Sequence, residues 1–235
     1  MTLVLAVAVK NIKNAVGQLY NYINYGWKMK NLLKNISCNS NQEKENVLNE
    51  LKKVCSQCKA CELHKTRTTT VFADGSADAK IMLIGEAPGA DEDATGIPFV
   101  GRAGQLLNTF LSEAGFDRKK DIYICNTLKC RPPQNRVPTN EEKIACQAYL
   151  AGQISTVKPK IILLCGSTAA QSFIQEDFKI SQIRGKWLNI FDDIEVMPIF
   201  HPSYLLRNHS EEQGSPRWLM RKDLEAIKNK LAEIS

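Results

Sequence analysis

The sequence predicts an α/β fold, a three-layer α/β/α sandwich in which helices cover both faces of a mainly parallel sheet. The first observation is that short, uniformly apolar runs alternate with segments whose apolar residues recur at helical spacing. The second is that the apolar runs have no polar face, as expected of strands that are buried on both sides. At 235 residues, the chain is long enough for one such domain and an appendage.

The predicted elements alternate along the chain, and local signals mark the starts of two helices. Thr139 and Glu142 form the pattern of a capping box, and Ser215-Pro216 is typical of a helix start. In chain order, the predicted elements are a helix over 45–54, a strand over 81–85, a helix through 106–111, a strand over 122–126, a helix opened by Thr139, a strand over 161–164, a helix through 169–173, strand-like runs over 187–191 and 194–200, and a final helix after Ser215.

The first 45 residues differ in composition from the remainder, which we interpret as one domain over residues 46–235. Residues 1–45 are rich in Asn, Lys and Tyr and lack a repeating apolar face, so we expect a flexible extension or a start assigned too early, with Met29 as the alternative start. They hold six lysines and two acids, and so supply +4 of the net charge of +6. The global charge is therefore weak evidence for a nucleic-acid partner, and local arginine clusters in loops are better evidence.

No run of the sequence approaches the ~20 apolar residues of a membrane span. The apolar residues 3–9 are not preceded by a basic segment, so a signal peptide is not expected either. We therefore expect a reducing, cytoplasmic compartment and no membrane. The eight cysteines then indicate metal ligands or buried thiols rather than disulfides.

Polar signals follow three of the predicted strands directly. The glycine-rich turn Gly85-Glu86-Ala87-Pro88-Gly89 follows the first, Asn126 ends the second, and His201-Pro202-Ser203 follows the last. In an α/β sheet, ligands bind outside the carboxyl ends of the strands. We therefore expect the three signals to form one pocket.

Five cysteines have a spacing that suits a metal centre. Cys55, Cys58 and Cys61 are each separated by two residues, while Cys130 and Cys146 lie far downstream on either side of a predicted loop. Thiolates in this arrangement hold either zinc or an iron–sulfur cluster, and the spacing alone does not separate the two. The remaining cysteines have simpler explanations as small apolar side chains in strands (Cys125 and Cys165) or as part of the extension (Cys38).

These motifs together resemble the iron–sulfur uracil-DNA glycosylases of family 4. The resemblance spans residues 46–232 and implies a uracil-DNA glycosylase-like fold with a mainly parallel, four-stranded central sheet. The matching motifs are Cys58-x2-Cys61-x-Leu63-x3-Arg67, Gly85-Glu86-Ala87-Pro88-Gly89, Pro98-Phe99-Val100-Gly101-Arg102-Ala103-Gly104, Asn126-x3-Cys130-Arg131-Pro132-Pro133-x-Asn135-Arg136-x-Pro138, Cys146, and His201-Pro202-Ser203-Tyr204-Leu205-Leu206-Arg207.

The resemblance implies a cofactor and partners. A 4Fe-4S cluster of structural role would be held by Cys58, Cys61, Cys130 and Cys146, whereas Cys55 departs from the family pattern and permits an alternative pair with Cys58. The implied substrate is uracil-containing single- and double-stranded DNA, bound by a monomer that leaves an abasic site and does not cut the strand. The implied setting is base excision repair in a prokaryotic cytoplasm.

The resemblance also implies roles in the pocket. Asn126 would read uracil, because its amide can donate to O4 and accept from N3–H, a pattern that cytosine reverses. Phe99 would stack on the base, and backbone amides around Gly85, Glu86 and Ala87 would hold the uracil oxygens. His201 would donate a hydrogen bond to the departing uracil anion, even as a neutral imidazole.

The group that orients the attacking water is less defined, because Ala87 stands where better-known uracil glycosylases carry an aspartate. Glu86, Asp91, Glu92 and Asp93 are the nearby acids, and Asp91 or Glu92 could also crowd the uracil C5 position and reject thymine. The cluster of Arg131 and Arg136 in a predicted loop indicates a phosphate contact by Arg136. The resemblance implies a loop that wedges into the duplex, formed by Leu205, Leu206 and Arg207. The alternative is a non-catalytic iron–sulfur or zinc DNA-binding module on the same fold, such as a polymerase accessory.

Overall fold

A computed structural model describes Cys38 and residues 40–174, 177–191 and 193–234 of the chain. Most of the predicted extension therefore lies outside the described residues. The helices are α1 (Asn41–Ser56), α2 (Ala90–Thr95), α3 (Arg102–Glu113), α4 (Asn140–Val157), α5 (Ser167–Gln171), α6 (Ile180–Ile183), α7 (Pro202–Leu205) and α8 (Pro216–Ile234). The strands are β1 (Asp74–Gly75), β2 (Ile81–Gly85), β3 (Ile122–Asn126), β4 (Ile161–Cys165) and β5 (Glu195–Ile199).

Capping side chains set the starts of two long helices. Helix α1 begins inside the range predicted as extension, because Ser40 accepts a hydrogen bond from the Glu43 amide and so caps it. Helix α4 begins at the predicted capping box, in which Thr139 accepts from the Glu142 amide and the Glu142 carboxylate accepts from the Thr139 amide. Among the described residues, no helix is both long and apolar enough to cross a bilayer.

The sheet has the order β1-β3-β2-β4-β5, and its four longer strands are all parallel. This confirms the predicted parallel sheet, to which the structure adds the antiparallel two-residue strand β1 at one edge. The prediction of a strand over 187–191 was wrong. Only Leu188 bridges to Val196, because the chain must turn back before it enters β5 at Glu195.

The strand order places the connecting helices on opposite faces. From β2 the chain steps to β3 through α3, and then returns past β2 to β4 through α4. Right-handed crossovers in opposite directions require α3 and α4 to lie on opposite faces. Accordingly, Leu107 of α3 packs with Ile81 and Leu83, while Tyr149 of α4 packs with the alternate residue Met82. Helix α1 shares the face of α4, and α8 shares the face of α3, which completes the three predicted layers.

Candidate active site and thiol cavity

The first pocket residues meet because β2 and β3 pair in register, with Gly85 opposite Asn126. A methyl group added at Gly85 would lie 2.3 Å from Asn126 Oδ1 and 2.7 Å from Phe99 Cζ. Only glycine therefore leaves room for both side chains at this point. The pairing continues past the strand ends, since the Thr127 amide donates to Gly85 O and the Thr127 hydroxyl donates to Glu86 O. Asn126 is held at the end of β3 and is 2 % exposed.

A strained loop presents Phe99 to the same place. Phe99 has a φ of 52°, which is uncommon for a residue with a side chain, and Gly104 of α3 allows the Phe99 backbone to approach closely. Arg118 stabilises the loop by donating to Pro98 O at 2.5 Å and to Phe99 O at 3.0 Å. The Phe99 ring centroid lies 5.8 Å from that of His201, so the ring reaches the end of β5 as well.

His201 caps the short helix α7 and is held in one tautomer. Its Nδ1 accepts a hydrogen bond from the Ser203 amide at 3.1 Å. Because a backbone N–H can only donate, a neutral His201 carries its proton on Nε2. Burial lowers the pKa of His201 to about 4, with Glu92 opposing that shift and Arg207 adding to it. His201 is therefore a neutral hydrogen-bond donor at pH 7.

The end of β4 makes room for His201. Gly166 has a φ of 92°, and a methyl group there would lie 2.9 Å from His201 Cβ. The Gly166 amide donates to Ile199 O, which keeps the ends of β4 and β5 together. We name the group formed by Gly85, Phe99, Asn126 and His201 the strand-end pocket. The structure therefore brings together the signals that the sequence placed at three strand ends.

The structure separates the four candidate acids. Glu92 accepts from the amides of Gly89, Val100 and Gly101, so it clamps the residues that follow Phe99 to the turn after β2. Asp93 is buried and accepts from the amides of Thr68 and Thr69. Among the described residues, none donates a hydrogen bond to the carboxylate of Glu86 or of Asp91. Ala87, the remaining member of the turn, is half-buried.

The predicted DNA contacts need one correction. Leu205 is 0 % exposed and packs in the core with α8, because it lies on the inner side of α7, so it cannot enter a duplex. Leu206 is half-buried, and Arg207 is exposed and makes no side-chain ion pair or hydrogen bond among the described residues. The sequence analysis assigned no role to Tyr204, which is 38 % exposed and packs against Phe200 with the two tilted ring centroids 5.1 Å apart.

Arg136 is already partnered within the chain. It donates two hydrogen bonds to the Glu142 carboxylate, at 2.9 Å and 2.6 Å, and so anchors the loop to the start of α4. The interaction lowers the pKa of Glu142. A phosphate contact by Arg136 would therefore have to compete with Glu142 or share the guanidinium with it.

Five cysteines line one cavity, which we name the thiol cavity: Cys55, Cys58, Cys61, Cys130 and Cys146. All are free thiols. Arg67 Nη1 donates to Cys130 Sγ at 3.1 Å, and the Lys129 amide donates to Cys146 Sγ at 3.2 Å. Burial raises the pKa of the Cys55 thiol to about 12, and it also raises those of Cys61, Cys130 and Cys146.

The donors are of a kind that suits a thiolate-bound group, but among the described residues no three or more of them are arranged as a formed metal site. A positive guanidinium and a backbone N–H aimed at sulfur favour the thiolate form against the cost of burial. The fit includes all five cysteines, because Cys55 lies at the end of α1 beside the other four in the cavity wall. Location alone therefore does not exclude Cys55 from the ligands.

Two residues that hold these sites were missed by the sequence reasoning. Arg118 lies in a polar loop and carries no signal that distinguishes it from its neighbours. Lys129 lies between Asn126 and Cys130, inside a motif that was recognised, yet it is 1 % exposed. Its position between a candidate base-reading residue, Asn126, and a candidate metal ligand, Cys130, is the signal that could have identified it.

Comparison with known proteins follows the same motifs. The sequence matches the Uracil DNA glycosylase superfamily over residues 72–228. The type-4 uracil-DNA glycosylase of Thermotoga maritima is 43% identical over 187 residues, which cover 79% of this chain and 95% of the relative. That of Archaeoglobus fulgidus is 42% identical, covering 68% and 83%, and that of Pyrobaculum aerophilum is 39% identical, covering 68% and 85%. The chain therefore belongs to the type-4 uracil-DNA glycosylases, within the uracil-DNA glycosylase superfamily.

Proposed function

We propose that this chain flips uracil out of DNA and hydrolyses its N-glycosidic bond, leaving an abasic site and so initiating base excision repair. The observation that carries the proposal is the meeting of a buried amide, an aromatic ring and a neutral imidazole at the carboxyl ends of the sheet. A base must leave the stack before this bond can be reached, and a pocket of this composition suits an extruded base.

Asn126 is proposed to read the base. Its amide can donate to uracil O4 and accept from N3–H, whereas cytosine offers the opposite pattern. Its burial makes the discrimination strong, because a mismatched partner would leave a buried polar group unpaired. Phe99 is proposed to stack on the base, since the clamps of Arg118 and Glu92 hold its loop. The backbone at Gly85, Glu86 and Ala87 is proposed to hold the uracil oxygens.

His201 is proposed to stabilise the leaving group. As the bond breaks, negative charge develops on uracil O2, and a donor aimed at that oxygen strengthens its hydrogen bond in the transition state. The Ser203 amide keeps Nδ1 occupied, so the Nε2 proton is the one that remains for the substrate. No proton has to be transferred from His201 for the bond to break.

The water that completes the reaction is proposed to be oriented by Glu86 or Asp91. These are the two nearby acids whose carboxylates no described residue holds, whereas Glu92 and Asp93 are committed to backbone amides. Glu92 is accordingly proposed to position the Phe99 loop rather than to contact water. Excision by Glu86→Gln and Asp91→Asn, compared with Glu92→Gln, separates these roles.

The thiol cavity is proposed to hold a 4Fe-4S cluster through Cys58, Cys61, Cys130 and Cys146, with Cys55 as a buried neighbour. An all-thiolate donor set suits such a cluster and also zinc, and the family resemblance favours iron. The cluster would serve as a cross-link between the segment after α1 and the loop that joins β3 to α4. Free thiols in this number suit a reducing compartment such as a prokaryotic cytoplasm.

Uracil-containing DNA, single- or double-stranded, is the proposed partner. The protein is proposed to act as a monomer, because one chain supplies the whole strand-end pocket. Arg207 is proposed to contact phosphate, since it is exposed, lacks a partner among the described residues and lies close enough to lower the pKa of His201. Leu206 is the residue of the predicted wedge that remains in place for DNA.

Release of free uracil from a single-stranded oligonucleotide with one uracil tests the function directly. We expect one equivalent of uracil per strand, with the backbone cut only after alkali treatment. A protein that binds the oligonucleotide and releases no uracil would instead support the non-catalytic DNA-binding module. The same strand with cytosine or thymine in place of uracil is the control.

A further inference from the structure

A buried lysine lies between the strand-end pocket and the thiol cavity. Lys129 is 1 % exposed and follows the end of β3. Its Nζ donates to the main-chain oxygen of Asn126 at 2.6 Å and to Gln153 Oε1 of α4 at 2.6 Å. Among the described residues, no carboxylate pairs with Lys129, so its hydrogen-bond acceptors are neutral oxygens. Its charge also lies near the Cys55 and Cys146 thiols, where it opposes the rise in their pKa values that burial causes.

Gln153 extends this contact across the core. It is 0 % exposed, and its Nε2 donates to Phe72 O at 3.0 Å and to Tyr123 Oη at 3.2 Å. The Lys129 Nζ also lies 5.8 Å from the centroid of the Phe72 ring. The end of β3 is therefore tied through two buried side chains to α4 and to the segment before β1.

The backbone of Lys129 belongs to the other site. Its amide donates to Cys146 Sγ, its carbonyl accepts from the Val71 amide at 2.8 Å, and the next residue is Cys130. Lys129 thus forms part of the wall of the thiol cavity while its side chain reaches back to Asn126. A single residue contacts both sites.

Burial of a lysine whose hydrogen-bond acceptors are neutral is costly, and an apolar side chain of similar size would fill this space without the cost. What an apolar side chain could not do is hold the Asn126 carbonyl. We propose that Lys129 is a positioning residue of the strand-end pocket, which fixes the end of β3 so that the Asn126 amide faces the base. The proposal rests on the base-reading role proposed above for Asn126.

The test compares the binding of two DNA ligands by Lys129→Met, whose side chain is of similar length and cannot donate. One ligand carries non-cleavable 2′-fluoro-2′-deoxyuridine, and the other carries an abasic-site analogue at the same position. The ratio of the two dissociation constants isolates contacts to the base and does not depend on the fraction of folded protein. The ratio worsens when the ligand that carries the base loses affinity relative to the abasic ligand. We expect this ratio to worsen about 10-fold and single-turnover excision to fall about 10- to 100-fold.

Two further variants separate positioning from general destabilisation. Gln153→Met leaves the lysine in place but removes its partner on α4. The ratio should therefore worsen in the same direction as in Lys129→Met. If Lys129→Met does not fold, Gln153→Met alone decides the question. Thr156→Val is the matched control, because Thr156 is buried in the same helix and donates only to Gly152 O. Its ratio should equal that of the native protein.

Asn126→Ala distinguishes failure of the positioning role from failure of base reading. If Asn126→Ala leaves the ratio unchanged, base reading by Asn126 is wrong and the positioning role fails with it. If Asn126→Ala worsens the ratio but Lys129→Met and Gln153→Met do not, only the positioning role is overturned. In the double variant Asn126→Ala/Lys129→Met, the ratio should equal that of Asn126→Ala alone, and an additive loss would show that Lys129 acts on another group.

Discussion

The strand-end pocket and the thiol cavity adjoin the same loop after β3 but are held together in different ways. In the pocket, hydrogen bonds within the chain anchor the backbone of the Phe99 loop through Arg118 and the His201 ring through the Ser203 amide. In the cavity, buried thiols from separate segments face one another with raised pKa values. The pocket is therefore preorganised by the protein itself, whereas the cavity would be completed by the cluster proposed above.

The largest expected effect concerns the cavity, where a lost ligand should abolish binding of the group. The protein should contain about four irons per chain with broad visible absorbance. Alanine at Cys58, Cys61, Cys130 or Cys146 should remove the iron, whereas Cys55→Ala is the matched control that should keep it. Iron analysis and absorbance of anaerobically purified protein check this, and zinc in place of iron would contradict the cluster.

In the pocket, the largest expected effect is that of His201→Ala. Loss of a donor to a developing anion lowers the single-turnover excision rate by about 100- to 1,000-fold. DNA affinity at fixed ionic strength should stay nearly unchanged, because the hydrogen bond forms in the transition state. His209→Ala is the control histidine, since His209 is exposed and contacts Arg217.

Arg207→Ala should show the reverse pattern, with weaker DNA binding, a smaller salt dependence and a smaller change in rate. Equal losses of affinity and rate in His201→Ala and Arg207→Ala would mean that His201 only shapes the α7 loop.

A smaller change is expected from Asn126→Asp. Replacing an amide donor by a carboxylate should lower uracil excision by about 100-fold and admit some excision of cytosine, because the substituted group can accept from the cytosine amino group. Excision of each base from otherwise identical strands provides the measurement. Undiminished uracil excision would assign base reading to another residue.

The smallest expected effect is that of pH on His201. Burial lowers its pKa from 6.5 to about 4, so the neutral donor persists as the pH falls from 8 to 5. The excision rate should therefore show no loss centred near pH 6.5.

The same shift in pKa affects the free energy of unfolding. Because the fold favours the neutral form, the contribution of His201 to stability is present above pH 6.5 and is lost as the pH falls towards 4. Rate and urea-unfolding profiles of the native protein and His201→Gln measure both effects.

The strands and their end residues could be predicted from the sequence, because uniformly apolar runs end at residues of a different kind. Strands β2 and β3 begin and end where the pattern predicted, and the Thr139 capping box starts α4. These signals are local, since each depends on residues a few positions apart. The convergence of strand ends then followed from the geometry of parallel sheets.

The rest could not be predicted, because it depends on contacts that form only when loops and helices pack in the folded chain. The four acids look alike in sequence, and only the folded loops show that Glu92 holds the Val100 amide and Asp93 holds the Thr68 amide. Leu205 and Leu206 are adjacent leucines, and which one faces the core depends on where α7 packs. Arg136 likewise looked free for phosphate until α4 brought Glu142 to it.

The most direct test of preorganisation is the protonation state of His201, observed by ¹⁵N NMR of the imidazole nitrogens. The chain has three histidines, so the His201 signals can be assigned by their loss in His201→Gln. Our account predicts, in protein without DNA, a neutral ring with the proton on Nε2 that stays unchanged from pH 8 to 5. A ring that titrates with a midpoint near 6.5, or that carries its proton on Nδ1, would contradict it.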